Sequence, residues 1–301
     1  MDRRSLKRRR KLKKIGGSKT MRIGLLHTTI REDEKLILTA ADERQVEVTR
    51  LDVREQILNP DTWDLSYDVV LERCVATTLG MQAKRFFESL GMRVVNSARV
   101  ASVCENKFLT SLTLREKRVP TVPFALVFSE QQAITAVEEL GGYPVVIKPL
   151  SGSWGRLIAK INDQDALEGV VEQKLVLGSP SHKALYLQKY VEKNGRDIRV
   201  MVVGDRAVAA IYRETAHWIT NMARGAQARP CPIDEALGRV SLAAAQAVGG
   251  GVLGIDIFET EVGFTVNEIN HTPEFKNVQA VTGKDVADEI IEYCLSSIPH
   301  G

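Results

Sequence analysis

The chain has 301 residues, 44% of them hydrophobic, which is enough for a large core and two or three subdomains. No apolar run approaches the roughly eighteen residues that a membrane-spanning helix needs, so composition argues against a membrane protein. The net charge of +3 comes from residues 1–20, which hold ten Lys and Arg and one Asp; the remaining 31 basic and 37 acidic residues give −6.

Residues 1–20 form a basic leader that ends in Gly16-Gly17-Ser18 and contains no apolar segment typical of a signal peptide. One interpretation is an arm that binds nucleic acid or an anionic surface. The other is a disordered extension or a mispredicted start. We favour the second, because Met21 opens an apolar strand.

The chain contains four cysteines, widely spaced and without a C-x-x-C pair, and five histidines without an H-E-x-x-H pattern. The cysteines are therefore expected to be reduced core thiols of a cytoplasmic protein. Zinc hydrolysis has no support in the sequence. The four are Cys74, Cys104, Cys231 and Cys294.

Apolar runs alternate with helical patterns over residues 21–105, which are predicted to form an N-terminal α/β domain with a largely parallel sheet. The predicted strands cover 22–28, 46–52, 68–73 and 93–96, and the helices cover 32–44 and 78–90. Arg73 ends the third strand, where ligands of such sheets bind, so it either holds a carboxylate or is an ordinary surface arginine.

The composition changes near residues 100–106, and a smaller domain is predicted over 106–185. Its strand 145–149 carries Lys148 within an apolar run, and a buried ammonium requires an anion, either a phosphate or a structural carboxylate. A Gly-rich loop follows and then a further strand, which predicts a hairpin flap that cradles phosphates or, alternatively, an ordinary hairpin. The flap residues are Gly152, Ser153, Trp154, Gly155 and Arg156.

A third domain is predicted over 186–301. It begins with a strand over 185–191, continues with a hairpin over 197–213 and includes helices over 232–248 and 285–296. Arg199, Arg213 and Asn221 bracket a potential nucleotide site, although each arginine alone is equally typical of a solvent-exposed surface.

Two strands near the C-terminus carry oxygen ligands among apolar residues. Glu268 and Asn270 lie two residues apart and so share a face, and an adjacent antiparallel strand would bring Asp256 opposite them. Hard oxygen ligands of this kind hold Mg²⁺ beside nucleotide phosphates. The alternative is an exposed strand face with scattered acids.

The order of these features resembles the ATP-grasp superfamily over residues 21–298. Within it the chain is similar to the RimK-like branch, and more closely to the LysX group, which joins α-aminoadipate to the small carrier protein LysW in lysine biosynthesis. The stretches that carry the resemblance are 71–75 (LERCV), 152–157 (GSWGRL), 195–200 (GRDIRV), 216–221 (AHWITN) and 267–272 (NEINHT).

The resemblance implies an α/β (α+β) ATP-grasp fold, in which a pre-grasp domain precedes two subdomains that clasp ATP. It implies roles for individual residues as follows. Lys107 and Lys148 would contact the ATP phosphates under the flap; Gln188, Lys189, Tyr190 and Val191 would line the adenine, with Asp197 on the ribose side; Arg213 and Asn221 would lie beside the transferring phosphoryl group; Asp256, Glu268 and Asn270 would bind two Mg²⁺.

The resemblance also implies substrate-binding residues and partners. Arg73, Arg199 and Arg224 would bind substrate carboxylates, and His271, Thr272, Phe275 and Asn277 would shape the amino-acid pocket. The partners would be an acidic LysW-like carrier and a free amino acid, in a cytoplasmic homodimer or homotetramer, with no membrane or nucleic acid involved.

The predicted specificity is mixed. In the lysine-pathway enzymes Ser or Thr follows the residue that matches Asn277, whereas Val278 follows here. Relatives that take glutamate tend to have Gly where this chain has Glu274. The chain is therefore expected to use aminoadipate, glutamate or both. Two rival functions are a RimK-like ligase that adds glutamate to a protein C-terminus and a nucleotide-sensing or RNA-binding protein that uses the basic leader.

Overall fold

A computed structural model of the protein describes residues 21–152, 156–222 and 225–296; the basic leader lies outside this part. The described chain forms three separate sheets, each with helices packed against it. No helix in these ranges is both long enough and apolar enough to cross a membrane.

The N-terminal sheet is parallel throughout, as the alternation of apolar runs and helical patterns predicts. Its strand order is β2-β1-β3-β4. The strands are β1 (Arg22–His27), β2 (Glu47–Asp52), β3 (Val69–Glu72) and β4 (Val94–Val95), and the helices are α1 (Glu32–Glu43), α2 (Thr77–Ser89) and α3 (Ala98–Glu105). Helix α3 was not expected from the sequence. It is capped by Ser97 and followed at once by α4 (Lys107–Glu116).

The central sheet is antiparallel, with the order β5-β8-β6-β7. Its elements are β5 (Phe124–Val127), α5 (Glu130–Glu139), β6 (Val145–Lys148), β7 (Ala159–Ile161), α6 (Gln164–Leu177), a 3₁₀ turn (Pro180–Lys183) and β8 (Leu185–Lys189). One face packs on α5 and α6, and on β6 that face is supplied by Val145 and Ile147. Because side chains alternate along a strand, Lys148 points away from this core.

The C-terminal sheet has five antiparallel strands in the order β11-β10-β9-β12-β13. Its elements are β9 (Arg196–Val203), β10 (Arg206–Glu214), β11 (Gln227–Pro230), α7 (Glu235–Val248), β12 (Val252–Thr260), β13 (Gly263–Asn270), α8 (Lys276–Thr282) and α9 (Val286–Ser296). Strand β9 is apolar on both faces, since Val200 packs with α7 and Met201 with α9. The sheet therefore lies between two layers of helices.

The N-terminal and C-terminal sheets share one hydrophobic core, in which Ile37 of α1, Met201 of β9 and Ile290 of α9 belong to the same cluster. The central sheet has a core of its own. The four cysteines are free and buried, as expected from their spacing.

Asn96 connects the end of the N-terminal sheet to the start of β12. Its side-chain amide donates to the carbonyl oxygen of Val252 at 2.7 Å, and its Oδ1 accepts from the Val252 amide at 2.7 Å. Gly251 permits this contact, because its φ is +114° and a Cβ there would lie 2.0 Å from Asn96 Oδ1. Only glycine fits such a position.

We expect Gly251→Ala to lower the free energy of unfolding by roughly 3 kcal/mol, since it combines backbone strain with a clash against a buried amide. Gly250→Ala is the matched control, because Gly250 also has a positive φ of +77° but no atom within 4 Å of its Cβ position. It should cost only about 1 kcal/mol. Urea unfolding of both variants measures the difference, and equal losses would show that the Asn96 contact contributes nothing.

Candidate active site

A cavity of about 550 Å³ lies between the central and C-terminal sheets. Both lysines predicted to contact phosphates, Lys107 and Lys148, line it together with Asp256, Glu268 and Asn270. Residues separated by more than a hundred positions in the sequence thus face one space. This geometry is required for a lysine pair and a metal site to hold the same triphosphate.

Lys148 projects into the cavity from the face of β6 opposite the central core. Its Nζ donates to Asn267 Oδ1 at 2.8 Å, and among the described residues no carboxylate forms an ion pair with it. Burial lowers the pKa of Lys148 to about 8; Glu268 acts in the opposite direction and Lys107 in the same one. The structural carboxylate considered from the sequence is therefore not its partner, and the ammonium can accept a ligand anion.

Lys107 is placed by the start of helix α4. Asn106 caps this helix by accepting from the amides of Phe108 and Leu109, each at 3.1 Å. The Lys107 ammonium donates to the carbonyl oxygen of Gly152 at 2.7 Å and to Glu268 Oε1 at 3.1 Å. It therefore connects the beginning of the Gly-rich loop to the C-terminal sheet.

The predicted metal ligands lie on paired antiparallel strands. Asp256 on β12 is directly opposite Glu268 on β13, and Asn270 is opposite Gly254. The alternative of an exposed strand face is wrong, because Asp256 is only 6% exposed. Arg199 binds the Asp256 carboxylate with two hydrogen bonds, from Nε at 2.5 Å and from Nη2 at 3.1 Å, and Arg213 Nη2 lies 3.1 Å from the same carboxylate.

The charge state of Asp256 follows from these neighbours. Burial opposes ionisation of the carboxyl, but Arg199 and Arg213 outweigh it and hold the pKa of Asp256 below its ordinary value. Arg213 also forms a bidentate pair with Asp197, at 2.7 and 2.8 Å, and the pKa of this buried arginine is raised because Asp256 and Asp197 outweigh its desolvation. The Asp256 carboxyl is thus ionised at neutral pH.

The donor set fits Mg²⁺ and nucleotide phosphates. Asp256, Glu268 and Asn270 supply hard oxygen ligands, which Mg²⁺ prefers. Among the described residues no cluster of three or more His, Cys, Asp or Glu suggests another kind of metal. The described lining of the cavity contains eight Lys and Arg against five Asp and Glu, an excess of positive charge that suits a polyphosphate.

The other end of the predicted nucleotide site is only partly described. Gln188, Lys189, Tyr190 and Val191 line the cavity where β8 ends, and Asn221 lines it farther along the chain. The ends of the flap, Gly152 and Arg156, also line it. The remaining flap residues Ser153, Trp154 and Gly155, and the predicted substrate ligand Arg224, lie outside the described residues.

Some of the residues predicted to form the amino-acid pocket line the cavity, and others are buried beneath its surface. His271, Thr272 and Asn277 line the cavity. Phe275 is fully buried, with the Arg73 guanidinium 5.6 Å from its ring centroid, and neither residue belongs to the lining. The surface-arginine alternative for Arg73 is wrong, because it is 2% exposed and pairs with Glu34 at 3.1 Å. A role for either residue in direct substrate contact stays a prediction.

Sequence reasoning missed several polar residues at the site. Lys193 lines the cavity and donates to Thr220 Oγ1 at 2.8 Å, and Arg31 also lines it. Lys84 and Glu72 form a fully buried ion pair at 2.6 Å beside His271. A charged residue within the apolar face of a helix was the available signal for Lys84, whereas Arg31 follows no local pattern.

Comparison with known proteins agrees with this geometry. The RimK-like ATP-grasp domain matches residues 104–294, and the LysX preATP-grasp domain matches residues 23–103. The chain belongs to the RimK-like ATP-grasp family. It is therefore an ATP-dependent ligase, and members of this fold family use ATP and Mg²⁺.

Two groups of RimK-like relatives resemble the chain to a similar extent. The α-aminoadipate–LysW ligase LysX of Saccharolobus solfataricus is 35% identical over 87% of this chain and 96% of its own length. The glutamate–LysW ligase ArgX of Sulfurisphaera tokodaii is 32% identical over 91% of this chain and 98% of its own length. Sequence identity alone thus places the chain near both groups.

Solved structures agree on the fold. A RimK domain ATP-grasp protein from Sphaerobacter thermophilus has a TM-score of 0.76 at 24% identity and covers 90% of this chain and 98% of its own. The D-alanine–D-alanine ligase from Bacillus anthracis has a TM-score of 0.68 at 16% identity and covers 92% and 97%. The ATP-grasp fold predicted from the sequence is confirmed.

The pKa of Lys148 predicts a pH dependence for this RimK-like site. Below about pH 8 the ammonium is charged and attracts phosphate, whereas above that pH it is neutral. We expect the affinity for ATP to fall about tenfold per pH unit above this value, since only the protonated form binds well. Titration of fluorescent ATP between pH 6.5 and 9.5 measures this. Lys148→Arg should abolish the inflection, and a persisting inflection would assign it to another group.

Proposed function

We propose that this ligase joins the α-amine of α-aminoadipate to the γ-carboxylate of the C-terminal Glu of a small, acidic LysW-like carrier protein. The support is the identity to LysX over nearly its whole length, together with a cavity lined by the two lysines predicted to bind phosphates and by the three predicted Mg²⁺ ligands. This places the enzyme in lysine biosynthesis by the aminoadipate route.

One observation carries the proposal: a lysine pair and a carboxylate pair from different elements face the same cavity. Lys107 begins helix α4 and Lys148 ends β6 of the central sheet, while Asp256 and Glu268 belong to β12 and β13. Phosphoryl transfer from ATP needs both pairs, because the lysines neutralise the phosphates and the carboxylates would hold a metal ion that supplies further positive charge.

The chemistry proceeds in two steps. An oxygen of the carrier carboxylate attacks the γ-phosphorus of ATP, which releases ADP and forms an acyl phosphate. The α-amine of the amino acid then attacks the acyl carbon, loses a proton and expels inorganic phosphate, so that an isopeptide bond results. Neither step needs a covalent bond to the enzyme, and the site contributes positioning and charge neutralisation.

Each residue group has a distinct task in this scheme. Lys148 and Arg213 offset the charge on the transferring phosphoryl group, with Asn221 beside it, and Lys107 holds the phosphates under the flap. Asp256, Glu268 and Asn270 would hold Mg²⁺, which would supply positive charge to offset that of the phosphates. Arg199, which already binds a carboxylate in Asp256, is suited to a substrate carboxylate.

A glutamate–LysW ligase is the second candidate. The identity to ArgX supports it, and so does Val278, which lines the cavity beside Asn277 without the hydroxyl that the lysine-pathway sequences carry there. An apolar side chain gives no hydrogen bond to a longer dicarboxylic acid, so that discrimination between the two amino acids is expected to be weak.

We expect phosphate release only when carrier, ATP, Mg²⁺ and amino acid are all present. Purified enzyme is incubated with the carrier and either α-aminoadipate or glutamate, and the carrier mass is measured. The expected product is the carrier plus one amino acid minus water. A carrier that lacks its C-terminal Glu is the control and should remain unmodified. Turnover of free amino acids without any carrier would refute the proposal.

Removal of one charged group from the central sheet or from the C-terminal sheet should reduce kcat about 10²- to 10³-fold. Lys148→Met removes the cation of the central sheet, and Glu268→Gln removes one metal ligand while keeping its shape. Lys35→Met is the control, since Lys35 is exposed on α1 and, within the described part of the chain, forms an ion pair with Glu32 alone. Coupled ADP assays at saturating ATP distinguish the three variants. Equal activity of all three would exclude this cavity as the active site.

A further inference from the structure

An ion pair between the N-terminal and C-terminal domains forms part of the cavity lining. Arg31 lies just before helix α1 of the N-terminal domain, and Glu274 lies four residues after the metal ligand Asn270. Arg31 Nη1 donates to Glu274 Oε1 at 3.0 Å, and both residues line the cavity. Four residues of chain span at most about 14 Å, so a small molecule can reach from the metal ligands to this pair.

The first turn of α1 fixes both partners. The buried Glu34 carboxylate accepts from Arg31 Nε and Nη2, each at 3.0 Å. Asp33 Oδ1 accepts from the backbone amides of Phe275 and Lys276, at 2.6 and 2.9 Å, and so fixes the segment that carries Glu274. The guanidinium is therefore oriented in advance, with its Nη1 directed at a carboxylate in the cavity.

The two carboxylates bound to Arg31 differ in burial. Glu34 is fully buried, whereas the Glu274 side chain is 45% exposed and the Arg31 side chain 22% exposed. An exposed ion pair contributes little to stability, because solvent screens it. The contact with Glu274 can therefore be exchanged for a ligand carboxylate, while the contact with Glu34 keeps the arginine in place.

We infer that Arg31 binds the side-chain carboxylate of the amino-acid substrate and that Glu274 occupies this position when no substrate is present. The inference rests on the proposed function, because it assigns one end of the same cavity to the distal end of a dicarboxylic amino acid. Arg31 is thus a specificity-determining residue, and Glu274 competes with the substrate for it. A planar guanidinium whose Nε and Nη2 are held by Glu34 can present Nη1 to a second carboxylate, either that of Glu274 or that of a ligand.

The test compares each substrate with an analogue that lacks the distal charge. Carrier-dependent kcat/KM is measured for α-aminoadipate and its side-chain amide, and for glutamate and glutamine, with wild type and Arg31→Gln. Arg31→Gln should reduce the preference for the acid over the amide at least tenfold and leave the KM for ATP unchanged. Arg31→Lys should restore part of the preference, because it retains the charge.

Two further variants isolate the role of Glu274. Glu274→Gln should lower the KM for the dicarboxylic amino acid several-fold, since the competing carboxylate is removed. Arg44→Gln is the matched control, because Arg44 also lies on the α1 side, pairs with the exposed Asp288 and Glu292, and is absent from the cavity lining. Arg44→Gln should change neither the preference for the acid over the amide nor the KM for the dicarboxylic amino acid.

The outcomes separate this inference from the proposed function. A wild type that turns over the acids while Arg31→Gln shows an unchanged acid-to-amide preference would overturn the inference alone. A raised KM in Glu274→Gln would also overturn it, since Glu274 would then bind the substrate itself. A wild type without carrier-dependent turnover would overturn the proposed function and this inference together.

Discussion

The site depends on the register of β12 and β13, which places the carboxylates of Asp256 and Glu268 directly opposite each other. Two like charges at such a position repel one another unless cations accompany them. Three elements supply these cations: β9 provides Arg199, β10 provides Arg213 and α4 provides Lys107. The polar half of the cavity is organised around this neutralisation.

The cavity contains more positive charge than is required to neutralise Asp256 and Glu268. Lys148 lies beside them without an ion-pair partner among the described residues, and burial keeps its pKa near 8. Such an arrangement costs stability, because a buried ammonium is poorly solvated. A bound polyphosphate would offset this cost, because its negative charge stabilises the buried ammonium. The unfavourable burial of Lys148 in the absence of ligand therefore favours binding of the nucleotide.

Much of the fold and part of the site follow from local sequence patterns. Strand alternation predicts that Glu268 and Asn270 share a face, because a period of two is a local property. Helices α3, α6 and α8 and strand β11 were missed, since their apolar periodicity is weak or short. Arg31 and Glu274 are 243 residues apart, and the packing of α1 beside α8 and α9 brings them together.

Burial of polar side chains was equally hard to predict. Arg73 looks like a strand-end surface residue, yet it is enclosed with Glu34 because the N-terminal and C-terminal sheets share one core. Lys84 and Glu72 are buried as a pair for the same reason. A charged residue is recognisable as buried only when its partner is known, and these partners lie on other elements.

The separate core of the central sheet has a consequence for movement of this part of the molecule. This unit contacts α4 through Phe108, whose ring lies 5.9 Å from that of Phe124, and through a hydrogen bond of 2.7 Å between Ser111 and Tyr186. It contacts β13 through the backbone beside Val266 and the Lys148–Asn267 hydrogen bond. A change in the angle between this unit and α4 leaves the core of the central sheet packed, because that core contains no residue of α4.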